Sequence, residues 1–105
     1  MAGRDERVAR NEALARAENE QRGDWFGTHS RVVFACECFD PDCEAMISLS
    51  REEYEAVRSK SIAFAVHAGH VDEQVERVAA RNETHWVTEK TTPDGMRVAE
   101  ELDPR

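Results

Sequence analysis

The stretch FACECFDPDC, residues 34–43, contains all three cysteines of this 105-residue chain. Cys36, Cys38 and Cys43 are an odd number of thiols, and a cysteine cluster with histidines elsewhere in the chain is typical of a zinc site. Their sulfurs can meet at one ion if residues 40–42, Asp-Pro-Asp, form a tight turn, since Pro presets one backbone angle and Asp favours turns. The stretch therefore predicts a metal-binding knuckle (residues 36–43) with Zn²⁺ as its cofactor.

A closed tetrahedral zinc site needs a fourth protein ligand, and the chain has four histidines. His70 is the predicted ligand, because Gly69 before it permits an unusual backbone turn that can aim the side chain inward. His67 is the second choice, and His29 and His85 are further alternatives. The predicted metal ligands are thus Cys36, Cys38, Cys43 and His70.

Two other interpretations of the three cysteines compete with zinc. Cysteine often serves as a small buried hydrophobic residue, but burial alone does not explain three of them beside Glu37, Asp40 and Asp42. A pair of thiols could instead exchange disulfides. The same carboxylates would suppress the attacking thiolate, whereas a bound cation tolerates them, so zinc is the preferred interpretation.

Two strands are predicted to flank the knuckle. Residues 31–36 form a β-branched and aromatic run, which favours a strand, and residues 45–49 alternate apolar side chains with a period of two. The knuckle therefore joins the two arms of a hairpin. Ser50 and Glu53 then match a capping box, which predicts the start of a short helix.

A second group of strands is predicted nearer the C-terminus. Residues 61–67 form a third strand. Residues 71–82 fit either a helix or a strand, and we favour a hairpin whose returning strand, residues 84–90, is dense in strand formers. Residues 92–95, Thr-Pro-Asp-Gly, have the chemistry of a turn, and a final short helix is predicted over residues 96–101.

An N-terminal helix is predicted over residues 4–22, which are rich in helix formers and lack Pro and Gly before Gly23. Its apolar face is thin, so the helix buries little by itself. It either lies on the small domain or is half frayed, or else it pairs with another copy or a partner protein. The chain thus divides into an N-terminal helix, residues 1–24, and a small α+β domain, residues 25–105.

The predicted fold class is α+β, with an N-terminal helix followed by a small zinc-stapled antiparallel sheet and one or two short helices. Hydrophobic residues make up 40% of the chain and charged residues 34%, so the core of this single domain is modest. A small domain of this kind gains stability from a metal crosslink between its strands.

The charge of the chain narrows the classes of partner. Fourteen Lys and Arg against 22 Asp and Glu give a net charge of -8, which repels nucleic-acid phosphates and anionic membranes. No apolar run approaches the length of a membrane span, and the first residues are unlike a signal peptide. We therefore expect a soluble cytoplasmic protein without a membrane partner.

Several motifs follow one another along the chain: FxCECxDxxC at residues 34–43, EYExVR at 53–58, GH at 69–70, VERV at 75–78, VxEK at 87–90 and ELDPR at 101–105. Together with NEAL at residues 11–14, they resemble a family of small uncharacterised bacterial proteins over most of the chain. The resemblance implies that Cys36, Cys38, Cys43 and His70 belong to one constellation. The chain departs from the family in having Ala68 where Pro more often precedes Gly-His.

The leading functional hypothesis is a structural Cys3His zinc site in a protein-interaction or regulatory module. The acidic knuckle would dock basic partners, and the N-terminal helix would mediate self-association. A thiol-based redox or metal-responsive switch is the alternative. A zinc hydrolase is disfavoured because three thiolates quench Lewis acidity, and a nucleic-acid binder because the knuckle carries no Lys or Arg. No catalytic residue and no small-molecule substrate is predicted.

Overall fold

Helices and strands cover most of the chain that the computed structural model describes, residues 3–105. In chain order the elements are α1 (Arg4–Arg22), β1 (Arg31–Ala35), β2 (Met46–Ser50), α2 (Arg51–Arg58), β3 (Ala63–Val66), β4 (Glu76–Arg81), β5 (Trp86–Lys90) and α3 (Pro93–Glu101). A 3₁₀ helix at Gly23–Gly27 follows α1. The first two residues of the predicted N-terminal unit 1–24 lie outside the described residues.

The strands form two small antiparallel sheets instead of the single sheet that the sequence predicted. β1 pairs with β2 across the knuckle, and β5 lies between β3 and β4. The two sheets meet where the Glu37 N–H donates to the Ala65 carbonyl oxygen at 2.9 Å. The α+β class, the hairpin around the knuckle and the strand within residues 71–82 are all confirmed.

The largest apolar cluster lies between the first hairpin, α2 and β3. It contains Val32, Phe34, Ile47, Leu49, Tyr54, Val57, Ala63 and Ala65. The predicted capping box starts α2, since Ser50 Oγ accepts the Glu53 N–H at 3.2 Å and the Glu53 carboxylate accepts the Ser50 N–H at 2.8 Å. This cap directs the apolar face of α2 onto the hairpin, where the rings of Phe34 and Tyr54 stack with centroids 4.6 Å apart.

α1 packs against α3 and β1 with polar as well as apolar side chains. Arg16 is fully buried and donates to the carbonyl oxygens of Ser61 and Ala99, at 2.5 and 2.7 Å. Asn19, also buried, donates to the Ala35 carbonyl at 2.8 Å and accepts the Ala35 N–H at 2.9 Å. The helix therefore buries more of its surface than its thin apolar face indicated, because Arg16 and Asn19 form hydrogen bonds with the rest of the fold.

The predicted turn at residues 92–95 is wrong, because these residues begin α3. Thr92 is the N-cap, and its hydroxyl accepts the Gly95 N–H at 3.1 Å. Pro93 suits the first helical position, where a backbone N–H has no partner within the helix. A side chain at Gly95 would bring its Cβ to 2.9 Å from Thr92 Oγ1, so glycine permits this close cap.

Candidate metal centre

The knuckle leaves the end of β1 and returns to β2 through a tight turn. The Cys36 N–H donates to the Ala45 carbonyl oxygen at 3.0 Å, which extends the hairpin by one pair. At the tip, the Asp40 carbonyl accepts the Cys43 N–H at 3.2 Å, and the Asp40 carboxylate accepts the Asp42 N–H at 2.9 Å. Asp40 thus closes the turn that the Asp-Pro-Asp sequence predicted.

His70 reaches the knuckle from a second turn, which follows β3. Its N–H donates to the His67 carbonyl oxygen at 3.0 Å, and the Val71 N–H donates to the Gly69 carbonyl oxygen at 2.9 Å. Gly69 has a φ of 84°, in the left-handed region that glycine adopts without strain. Gly69 therefore performs the role predicted for it, turning the chain so that His70 faces the cysteines.

The structure brings the four predicted residues into one group. One ligand atom from each of Cys36, Cys38, Cys43 and His70 lies within 4.8 Å of all the others. The His70 Nδ1 atom is 3.5 Å from the sulfurs of both Cys36 and Cys43. Cys36 and Cys38 are buried, while Cys43 and His70 are half-buried. This group could hold a metal ion.

The other three histidines lie outside the group. The His67 ring packs on the His70 ring with centroids 4.9 Å apart, but its Nδ1 atom approaches the Ala68 carbonyl oxygen at 3.2 Å. His29 is exposed and contacts Trp25 and Thr28. His85 is buried in the turn between β4 and β5, and burial lowers its pKa.

His67 nevertheless contributes to the group through its backbone. Its N–H donates to the Cys36 sulfur at 3.1 Å. An N–H donor of this kind stabilises negative charge on a sulfur, which is the form that binds a metal. The sequence ranked His67 as an alternative ligand and gave no signal for this role, because a backbone contact does not depend on the side chain.

Glu37, between two of the cysteines, is a functional residue that the sequence misassigned. The sequence grouped it with the acidic surface of the knuckle, but its side chain is buried. The carboxylate accepts the Asn19 side-chain amide at 2.8 Å and the Ala65 N–H at 3.0 Å. Burial raises its pKa, and these two donors oppose the shift. Glu37 therefore fixes the cysteine pair to α1 and β3. The strand alternation, which points Glu37 away from both thiols, was the available signal.

The three thiols cannot all ionise independently. A hydrogen bond from Cys36 lowers the pKa of Cys38 to about 5. The same contact, together with burial, raises the pKa of Cys36, and burial raises the pKa of Cys43. One negative charge is therefore stable in the group, whereas three thiolates so close together repel one another unless a cation lies between them.

Comparison with known proteins adds no relative. No family model, curated protein or solved structure matches this chain. Within residues 3–105, none of the helices combines the length and the apolar character needed to cross a bilayer. Fold and site together define a small α+β protein with a Cys3His group suited to a metal ion.

Proposed function

We propose that this protein binds one zinc ion through Cys36, Cys38, Cys43 and His70, and that the ion is structural. The convergence of the four ligand atoms within 4.8 Å carries the proposal. Tetrahedral zinc, with Zn–S of about 2.3 Å and Zn–N of about 2.0 Å, places its sulfur and nitrogen ligands about 3.5 Å apart. Both sulfur–nitrogen separations measured at His70 Nδ1 are 3.5 Å, so the donor set fits this ion.

Two observations support a structural ion over a catalytic one. Four protein ligands complete a tetrahedral site and leave no position for a water molecule, which a hydrolytic zinc requires. The buried carboxylate beside the site, Glu37, is occupied by the Asn19 amide and the Ala65 N–H. It is therefore committed to holding the knuckle and is not placed to act as a general base.

The proposal makes a prediction about the choice of the fourth ligand. We expect His70→Ala to weaken zinc binding by more than about a hundredfold. Loss of a residue that only hydrogen-bonds to a metal ligand already lowers metal affinity by about 10- to 100-fold. His67→Ala should cost far less, because its backbone N–H to Cys36 survives the substitution. Competition titration with a chromogenic chelator measures both, after elemental analysis has established the zinc content.

His29→Ala is the matched control, since His29 contacts only Trp25 and Thr28 among the hydrogen-bond partners described. Equal losses in all three variants would show that His70 is not the ligand. Purified protein that contains no metal and has fully reactive thiols would contradict the zinc proposal itself.

A thiol switch is the second candidate, and the position of Cys43 favours it. Cys43 is the one half-buried thiol of the three and lines a pocket of about 250 Å³ beside α1, so an oxidant can approach it first. A structural site should retain zinc in mild peroxide. Reversible release of zinc at low peroxide, with the remaining fold intact by circular dichroism, would favour the switch.

We infer that the protein acts through interaction, using an exposed apolar side along α1 and the first hairpin. Leu14, Trp25, Val33 and Met46 are 66%, 63%, 52% and 43% exposed. Glu18 lines both the pocket that includes Leu14 and a groove of about 740 Å³ that includes Trp25 and Val33. Exposed apolar residues that share one side of a molecule favour a protein interface.

The corresponding prediction concerns self-association. Sedimentation equilibrium should show a dimer that forms with rising protein concentration, and the double variant Leu14→Ser, Trp25→Ser should weaken it by about tenfold or more, since both substitutions remove apolar area from the interface. Leu102→Ser is the control, because Leu102 is also exposed but lines neither pocket. A wild-type protein that stays monomeric at millimolar concentration would contradict self-association.

A further inference from the structure

Another cavity lies between Phe39 of the knuckle and the first half of α1. Its volume is about 550 Å³, and three arginines of one helix, Arg4, Arg7 and Arg10, line it. Asn11 and Asp72 complete the polar part of the lining. The cavity uses none of the four proposed metal ligands, so the inference below does not depend on the zinc proposal.

The walls of this cavity are tied together by polar contacts. The Asn11 side-chain amide donates to the Phe39 carbonyl oxygen at 3.5 Å. Asp72 forms an ion pair with Arg4, and its side chain is only 9% exposed. The other Asp72 carboxylate oxygen accepts the Gln74 N–H at 3.1 Å. A carboxylate of the wall is therefore already paired with one of the arginines.

The position of the arginines at the start of α1 makes a nearby negative group favourable. α1 begins at Arg4, and the N-terminal end of a helix carries a partial positive charge, so cations there are unfavourable. Asp5 and Glu6 in the first turn offset part of this cost. The cavity lining itself contains three guanidinium groups and one carboxylate, in a protein whose net charge is -8. An anion bound in the cavity would reduce the repulsion between the arginines.

We propose that this cavity binds a small organic phosphate. Guanidinium groups match the oxygens of phosphate with paired hydrogen bonds. Phe39, which is 37% exposed, offers an apolar face beside them for the organic part of the ligand. Asp72 then acts as an internal competitor that occupies Arg4 when the ligand is absent.

A small ligand fits these observations better than a nucleic acid does. The cavity accommodates one phosphate and one ring-sized group, whereas a nucleic acid needs a basic track that continues along its backbone. Here Asp5 and Glu6 lie between two of the arginines in the sequence, and the acidic Asp72 lines the cavity itself. The net charge of the whole protein opposes a long polyanion but acts weakly on one phosphate at physiological salt.

Calorimetric titration with phenyl phosphate and with inorganic phosphate tests the proposal. We expect phenyl phosphate to bind more tightly, and Phe39→Ala to remove the difference. Arg10→Gln should weaken phenyl phosphate binding about tenfold or more, the effect of losing one charge-assisted hydrogen bond. Asp72→Asn should strengthen binding severalfold, since the amide keeps an oxygen for the Gln74 N–H but no longer competes for Arg4.

Arg22→Gln is the matched control, because Arg22 lies on the same helix but lines a different groove. Circular dichroism checks that each variant is folded. Absence of phenyl phosphate binding at millimolar concentration would overturn the proposal, as would weaker binding by Asp72→Asn or an equal loss in Arg22→Gln. If a single-stranded RNA binds far more tightly than phenyl phosphate does, the cavity is part of a nucleic-acid interface and the small-ligand proposal is wrong.

Discussion

Removal of the metal with a strong chelator at pH 7 should lower the free energy of unfolding by more than about 3 kcal/mol. Structural zinc contributes on the order of 10 kcal/mol of binding free energy in small zinc domains, and a domain of this size has a total stability of about 5–15 kcal/mol. Urea denaturation followed by circular dichroism measures the change.

The composition of the core at this end of the molecule explains the size of the effect. The small cluster here consists of Cys36, Cys38 and Val66, with Cys43, Ala45 and Trp86 packed against it. Three of these six residues are proposed ligands, so a bound metal would take the place of a conventional apolar core. Without it, the three thiol groups remain close together, and only one negative charge is stable among them.

Cys36→Ser provides the control for the chelator experiment. Before chelator is added, this variant should already have the lower free energy of unfolding expected of the metal-free protein. The chelator should cause no further loss, because the variant lacks one of the metal ligands. If the chelator strips one metal ion per chain and the denaturation curve does not move, the metal is not structural and the switch interpretation gains support.

Lys90→Met should destabilise the protein by about 3–5 kcal/mol, the cost of breaking a buried ion pair from one side. The Lys90 ammonium group lies between two carboxylates, with Glu76 at 2.9 Å and Glu12 in direct contact. All three side chains are fully buried. The substitution leaves these two carboxyl groups in the interior without their cation, and denaturation in urea at pH 7 measures the loss.

The raised pKa of Glu12 indicates how the stability lost in Lys90→Met can be recovered. Burial, followed by the nearby Glu76 carboxylate, raises the pKa of Glu12 well above its usual value. Glu12 therefore favours its neutral form, and replacing the Glu76 carboxyl group with a neutral amide removes the other acid of the pair. Adding Glu76→Gln should recover more than half of the lost stability, because the amide oxygen still accepts the Asp72 N–H, which now lies 2.9 Å from Glu76 Oε1.

Lys60→Met is the matched control. Lys60 also pairs with a glutamate, Glu89, but its side chain is 61% exposed, and an exposed pair contributes about 0–1 kcal/mol. If Lys60→Met and Lys90→Met lower the free energy of unfolding by similar amounts, burial does not make the Lys90 ion pairs stronger than an exposed pair. Failure of Glu76→Gln to restore stability would mean that lost side-chain contacts, and not an unpaired charge, cause the effect.

Features encoded by short spacings could be predicted from the sequence. The α1 helix, the hairpin around the knuckle and the capping box at Ser50 each depend on residues that are close in the chain. The sequence could favour His70 as the fourth ligand, because the preceding Gly69 permits the positive φ that the structure shows, but it left the other histidines open. The error at Thr92 arose because Thr-Pro-Asp-Gly suits both a turn and a helix start, and only the residues that follow decide between them.

Long-range polar contacts could not be predicted in this way. Arg16, Asn19 and Glu12 look like solvent-facing residues on a charged helix, yet the fold buries all three. Their partners lie in other elements, at Ala99, Ala35 and Lys90 respectively. No pattern within the helix identifies such partners, because the contacts join residues far apart in the chain.

The sequence by itself determined the donor set of the candidate metal centre and most of the local structure, because thiols, turn residues and helix caps act over a few residues. The tertiary structure decided which histidine lies next to the cysteines. It also buried Glu37, whose carboxylate binds Asn19 and Ala65 and so connects the knuckle to α1 and β3. It also placed Arg4, Arg7 and Arg10 beside Phe39, so that a chain of net charge -8 presents a basic cavity next to its acidic knuckle. The last two outcomes depend on α1 docking against the sheets, to which buried polar contacts contribute and which hydrophobic periodicity alone does not predict.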